Sequence, residues 1–151
     1  MIKLDEITHI YFLGIGGIGM SALARYFHSS GFEVSGYDKT ETKLTKALLE
    51  EGIEIEFKEN LKKVEDFDCE TTLVCYTPAI PKGHSELLFF QIENYNLVKR
   101  AELLGFLSAG KNCLAVAGTH GKTTTSSILT YLLSNTEEKC SAFLGGIASN
   151  F

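Results

Sequence analysis

The sequence predicts a doubly wound α/β fold with a parallel sheet, followed by the start of a second phosphate-binding unit. Three observations carry this reading. Short β-rich apolar runs alternate with longer stretches of helical spacing, a G-x-G-x-x-G turn stands directly after the first run, and a G-K-T-T-T turn follows a later run about a hundred residues on. Repeated βα alternation is resolved most simply by a parallel sheet with helical crossovers on its faces.

Ile10 to Leu13 is the first predicted strand. Ile18, Leu23, Ala24 and Phe27 then mark one face of a helix, which Gly31 stops. Glu33 to Tyr37 reads as a second strand. Leu44, Leu48 and Leu49 mark a helix closed by Gly52, and Ile53 to Phe57 a third strand. The most apolar run to that point, Thr72 to Tyr76, suits a strand inside a parallel sheet. A helix over Leu87 to Tyr95, a strand over Leu97 to Lys99 and a helix over Ala101 to Leu107 follow. The small, polar stretch Ser108 to Asn112 is the one break in composition, and it divides the chain into residues 1–108 and 109–151. Beyond it come a strand over Cys113 to Ala117, a helix over Lys122 to Leu133 and a short strand over Ala142 to Leu144.

Composition narrows the function classes. With 151 residues, a net charge of −5 and interleaved acids and bases, the chain shows no basic footprint for a nucleic acid backbone. Cys69, Cys75, Cys113 and Cys140 contain no C-x-x-C pair, and two of them lie inside apolar runs, so buried reduced thiols are expected rather than disulfides or zinc. No basic segment precedes an apolar stretch at the N-terminus, and no apolar run approaches the roughly 18 residues of a membrane span. The expectation is a cytoplasmic protein without membrane insertion.

The first glycine motif is Gly14-Ile15-Gly16-Gly17-Ile18-Gly19, followed by Met20 and Ser21. Its setting between strand and helix is the one a diphosphate site requires. Glycine permits the tight turn and the close approach of backbone to ligand, and the helix N-terminus offers free N–H groups and a positive dipole end. On this reading a side chain at Gly16 would occupy the diphosphate's space. Asp38 ends the second strand, where Rossmann-like folds place an acid on a ribose hydroxyl. NAD, FAD and UDP-sugars share the diphosphate, so the motif alone leaves the ligand open.

The second motif is Gly118-Thr119-His120-Gly121-Lys122-Thr123-Thr124. It is shorter than the standard phosphate loop, since Val116 stands where the first glycine belongs. Its chemistry is nonetheless that of a P-loop ATPase. Backbone N–H groups cradle phosphate, Lys122 reaches the β- and γ-phosphates of ATP as the catalytic cation, and Thr123 holds Mg²⁺. His120 is expected to shape the loop rather than to react.

Both loops together resemble the Mur ligase family, in particular its branch that adds L-alanine to UDP-N-acetylmuramate. Supporting stretches are Val34 to Asp38, Tyr76-Thr77-Pro78-Ala79-Ile80-Pro81, Val98-Lys99-Arg100 and Phe143 to Ile147. The chain departs from the family at Lys58-Glu59-Asn60, where many members carry a histidine. The resemblance implies ATP-dependent activation of the sugar's lactyl carboxylate as an acyl phosphate, followed by attack of the L-alanine amine. It implies that Gly14, Gly16, Gly17, Ile18, Gly19, Met20 and Ser21 hold the UDP diphosphate and that Asp38 with Tyr76, Thr77, Pro78, Ala79 and Ile80 contact the uridine side. Arg100 is implied as an anion partner. It further implies that the catalytic apparatus is completed by domains beyond these residues, so that this chain alone would be inactive. Two rivals are weaker. A murein-peptide recycling ligase usually has cysteine in the first loop, where Ile-Gly-Gly-Ile stands at 15–18. An NAD(P)-binding regulatory or dehydrogenase module leaves the second loop unexplained.

Overall fold

The computed structural model describes residues 4–109, 111–137 and 140–146. Five strands, β1 (His9–Leu13), β2 (Glu33–Tyr37), β3 (Glu54–Glu56), β4 (Thr72–Tyr76) and β5 (Asn96–Lys99), form one all-parallel sheet in the order β3-β2-β1-β4-β5. The helices α1 (Ile18–Ser29), α2 (Lys43–Glu50), α3 (Leu61–Val64), α4 (Ser85–Ile92), α5 (Arg100–Ser108) and α6 (Lys122–Ser134) complete the chain. The predicted doubly wound sheet is present, with its topological switch point between β1 and β4.

Side chains on a strand alternate between faces, so β1 feeds two cores. Ile10 and Phe12 pack with Leu23, Ala24 and Phe27 of α1, Leu48 of α2 and Leu103 of α5. Tyr11 and Leu13 face the other way, against Val64 of α3 and Leu87 and Phe90 of α4. Burial on both faces is why β1 and β4 read as continuous apolar runs.

Register decides what the sheet presents. Leu13 pairs with Tyr37 and with Tyr76, Tyr37 with Glu56, and Tyr76 with Lys99. One rung therefore crosses all five strands at their C-terminal ends. The next residues, Gly14, Asp38, Thr77 and Arg100, leave the sheet along a single edge. At about 4.8 Å per strand they span about 14 Å.

Two carboxylates stitch the loops of that edge to α4. Glu86 is fully buried; its Oε2 accepts the Tyr11 hydroxyl at 2.8 Å and its Oε1 the Asn60 N–H at 2.7 Å. Burial, with Glu86 beside it, pushes the Tyr11 phenol far up. Glu59 returns the contact, its Oε2 accepting the Ser85 N–H and hydroxyl at 2.9 and 2.5 Å and so capping α4. At the opposite end of the sheet His9 bonds Ser35 at 2.8 Å and Thr72 at 3.4 Å, which satisfies a buried imidazole between three strands.

Several expectations require correction. Cys113–Ala117 and Ala142–Leu144 are not strands, because no strand among the described residues offers either a ladder of hydrogen bonds. Leu114 is accordingly exposed, as are Ile128, Tyr131 and Leu132 of α6. The helix expected to reach Tyr95 stops at Ile92, since Asn94 takes a left-handed φ of 56° that turns the chain into β5. Ile18 begins α1 exposed rather than on its buried face. Only Cys75 is buried; Cys69, Cys113 and Cys140 are exposed free thiols. Gly110, in the expected boundary, and Ile147, in the last quoted stretch, lie outside the described residues. Among the described residues no helix is long and apolar enough to cross a membrane.

Two outcomes follow. Burial pushes the Cys75 thiol up to about 12, against a partial opposing pull from Arg100. Iodoacetamide at pH 8, followed by intact-mass analysis, should label three cysteines in the native chain and the fourth only on unfolding. Glu86→Ala should destabilise the chain by about 2–4 kcal/mol in urea melts, because the buried Tyr11 hydroxyl and the half-buried Asn60 N–H both lose their acceptor.

Candidate functional site

The first loop leaves β1 through Gly14, whose φ of 87° favours glycine. Gly14 and Ile15 donate to the Tyr37 carbonyl at 2.7 and 3.0 Å, so the loop's opening N–H groups are consumed by β2. Gly17 donates to Gly14 at 3.3 Å, and Met20 and Ser21 to Gly17 at 3.0 and 2.8 Å. That leaves the N–H groups of Ile18 and Gly19, which have no acceptor among the described residues and stand in the first turn of α1. Met20 and Ser21 turn their side chains inward. Met20 packs in the core and the Ser21 hydroxyl donates to the Ile18 carbonyl at 3.0 Å. Any contact they make with a ligand therefore falls to backbone.

Gly16 is seated differently from the rest. Its N–H donates to Asp38 Oδ2 at 2.8 Å. A Cβ at Gly16 would stand 2.8 Å from that oxygen and 2.7 Å from the Thr45 methyl. The vacant side-chain position thus faces Asp38 and α2, not the space a diphosphate would take, which corrects the reason expected for this glycine.

The other strand ends close on the same crevice. A Cβ on Gly14 would lie 3.5 Å from Ile80 and 3.7 Å from the Thr77 hydroxyl. The Thr77-Pro78-Ala79-Ile80 turn is held by Ala79 N–H donating to Thr77 Oγ1 at 3.2 Å and Ile80 N–H to the Thr77 carbonyl at 3.1 Å. Tyr76 and Thr77 are half-buried and Pro78 and Ala79 exposed. From β5, Arg100 reaches over α1, so that a Cβ on Gly19 would be 2.8 Å from its Nη1. Arg100 is exposed and has no ion-pair partner among the described residues. An unpaired guanidinium beside two free N–H groups and a helix N-terminus has the donor chemistry that an anion requires.

The second loop is assembled on its own helix. Gly118 and Gly121 take φ values of 155° and 77°, and Gly121 caps α6. The N–H groups from Thr119 to Thr124 have no acceptor among the described residues, and Thr125 is the first to bond back, to Gly121 at 2.9 Å. The Lys122 ammonium donates to the Gly118 carbonyl at 2.5 Å and to Thr119 at 3.2 Å, folded over the loop it would serve. His120 is exposed and, among the described residues, shares no side-chain hydrogen bond.

The stretch 143–146 joins the two loops. Phe143, Leu144 and Gly145 line a small cavity with Gly19, Leu23, Arg100 and Leu104, and a Cβ on Gly146 would meet Thr123 at 3.3 Å. Phe143 also packs edge-on against Tyr26 of α1, whose hydroxyl accepts from Lys111 at 2.7 Å.

Sequence reasoning missed the polar cluster behind Tyr37. His84 is buried with both ring nitrogens unpartnered, edge-on to Tyr37 at 4.6 Å and 3.9 Å from Glu59, too far for a hydrogen bond. No motif marks it, because its setting depends on two loops far apart in sequence.

Residues 9–112 match the model of the Mur ligase family, catalytic domain. UDP-N-acetylmuramate–L-alanine ligases of Flavobacterium psychrophilum and Christiangramia forsetii are 53% and 51% identical over 99% of the chain. The chain spans about a third of the length of these relatives, 34% of each. Among solved structures, the UDP-N-acetylmuramate–alanine ligase of Thermotoga maritima superposes with a TM-score of 0.81 at 33% identity, covering 93% of this chain and 32% of that one. A murein peptide ligase from Psychrobacter arcticus gives 0.75 at 28%, covering 84% and 26%. With a family match over most of its length and half its residues shared with such relatives, the chain belongs to the Mur ligase family.

Proposed function

We propose that residues 1–108 form the UDP-N-acetylmuramate-binding domain of a ligase that adds L-alanine to that nucleotide sugar in peptidoglycan synthesis. Residues 109–151 begin its ATP-binding domain. The observation that carries the reading is the unpaired Arg100 guanidinium over the free Ile18 and Gly19 N–H groups, at the switch point where doubly wound sheets bind nucleotides. The choice of ligand is supported by relatives that share half their residues with this chain and are named UDP-N-acetylmuramate–L-alanine ligases.

Each residue's proposed role is supported by where it lies. Gly14 to Gly19 and Arg100 hold the diphosphate, while the Tyr76 to Ile80 turn lines the uridine side. The exposed N–H groups of Thr119 to Thr124 fit the phosphates of ATP, Lys122 screens their charge, and the Thr123 hydroxyl is placed to hold Mg²⁺. The sugar's carboxylate oxygen would take the γ-phosphoryl group of ATP with release of ADP, and the L-alanine amine would then displace phosphate from the acyl carbon to form the amide. The protein works in the cytoplasm, where ATP and the nucleotide sugar are made. The remaining two-thirds of the relatives' length is the partner of this segment, covering Ile128, Tyr131 and Leu132 and completing the active centre.

Titration calorimetry on the 151-residue chain tests the reading. UDP-N-acetylmuramate or UDP should bind and NAD should not; NAD binding without a UDP response would sink it. Arg100→Ala should weaken UDP about tenfold and flatten the salt dependence of binding, as loss of one charge-assisted contact requires. No phosphate should be released from ATP when UDP-N-acetylmuramate and L-alanine are added to this chain, because groups that position the reactants are absent from it.

A further inference from the structure

We propose that Asp38 is a positioning residue: its carboxylate holds the first glycine loop in its diphosphate-binding shape instead of reading the ribose. The proposal rests on the nucleotide-sugar reading of that loop and departs from what a strand-end acid does in a dinucleotide fold.

Both carboxylate oxygens are already engaged. Oδ2 accepts the Gly16 N–H at 2.8 Å, and Oδ1 accepts the Thr40 N–H at 3.0 Å in a turn of Asp38's own making. An acid that binds ribose hydroxyls turns its oxygens to the crevice. This one turns one oxygen to the loop backbone and the other to the chain leaving β2.

The seat beneath the loop is rigid on its far side as well. Thr45 is fully buried and locked in a reciprocal cap with Thr42. The Thr42 N–H donates to Thr45 Oγ1 at 2.8 Å, and the Thr45 N–H to Thr42 Oγ1 at 3.2 Å. Its methyl and the Asp38 carboxylate together occupy the space where any Cβ of residue 16 would go. Gly16 therefore rests on a surface that leaves no room for a side chain.

The consequence lies in which donors remain. With Gly14, Ile15, Gly16 and Gly17 all bonded inward, Ile18 and Gly19 are left to face the ligand beside Arg100. Without the carboxylate, the Gly16 N–H is unpaired in a half-buried loop and the loop is free to reorient. The loss would then fall on the diphosphate and not on the ribose.

Titrations of UDP and 2′-deoxy-UDP against wild type, Asp38→Asn and Asp38→Ala separate the two roles. Asp38→Ala should weaken both nucleotides by the same factor, about tenfold, leaving their ratio at the wild-type value. Asp38→Asn should lose less, because its amide oxygen keeps one of the two bonds; it also serves if the alanine variant fails to fold. Native-state exchange of ligand-free chains gives a second readout. The Gly16 amide should exchange at least tenfold faster in Asp38→Ala, with Ile10 to Leu13 unchanged. A ratio that collapses toward one on substitution would make Asp38 a ribose contact and overturn the proposal, as would an unchanged Gly16 amide. Failure of wild type to bind UDP would instead remove the nucleotide-sugar reading, and the exchange experiment would still decide the tie.

Discussion

A single rung of parallel pairing, Glu56–Tyr37–Leu13–Tyr76–Lys99, is the constraint from which the binding edge is built. Parallel strands have no tight turns between them, so each must hand the chain to a helix on one face or the other. Ending the strands level makes all of those hand-offs neighbours. The glycine loop, the Asp38 turn, the Thr77 to Ile80 turn and Arg100 are distant in sequence, yet their backbones emerge within one short edge. A slip of one residue in any pairing would reverse the faces of that strand, sending a core side chain to the surface. The two cores on either side of β1 forbid it, and so apolar packing sets the position of polar groups it never touches.

Electrostatics then acts on a frame that is already fixed. The chain carries a net charge of −5, so an anion gains nothing from its overall field. Attraction must come from the local arrangement: the first turn of α1, two N–H groups without acceptors, and an unpaired guanidinium. Acids at the same edge are turned away from it. Glu86 is fully buried against Tyr11 and Asn60, Glu59 caps α4, and Asp38 faces the loop backbone. These groups organise the loops through hydrogen bonds while leaving the anion site to its donors.

Much of this was legible in the sequence because the signals are local. Gly-x-Gly between strand and helix, the apolar run of β1, and the closing Gly31 and Gly52 each act within a few residues, and the five strands with α1, α2, α4, α5 and α6 lie close to where the sequence puts them, while the short α3 carries no such signal. What escaped needs the third dimension. His84 and Glu86 look like an ordinary helix start until Glu59 and Asn60 are brought against them. Gly16 looked like a ligand contact because its motif is one, whereas its missing side chain answers to Thr45, which is 29 residues away. Cys113–Ala117 has every local mark of a strand, yet a strand is a relation between two segments, and none among the described residues pairs with it. The exposure of Cys113 follows from the same limit, since an apolar run is buried only where something covers it.

The contact between the two loops is the last step. α6 leaves Ile128, Tyr131 and Leu132 about half exposed, each of the two aliphatic side chains forgoing roughly 1 kcal/mol of burial, so its own packing contributes little to its place. It is tied to the sheet domain by the 143–146 stretch, with Phe143 on Tyr26 and Gly145 and Gly146 against Thr123, and by Lys111 on the Tyr26 hydroxyl. Tyr26 lies on the same helix whose first turn carries the free Ile18 and Gly19 N–H groups. Gly19 and Arg100 also share a wall with Leu144 and Gly145. A displacement of α1 or Arg100 as an anion settles would therefore meet the residues that back Thr123. The two glycine loops, about a hundred residues apart in sequence, are separated in space by one short stretch of chain, which lines the Gly19 and Arg100 cavity on one side and meets Thr123 on the other.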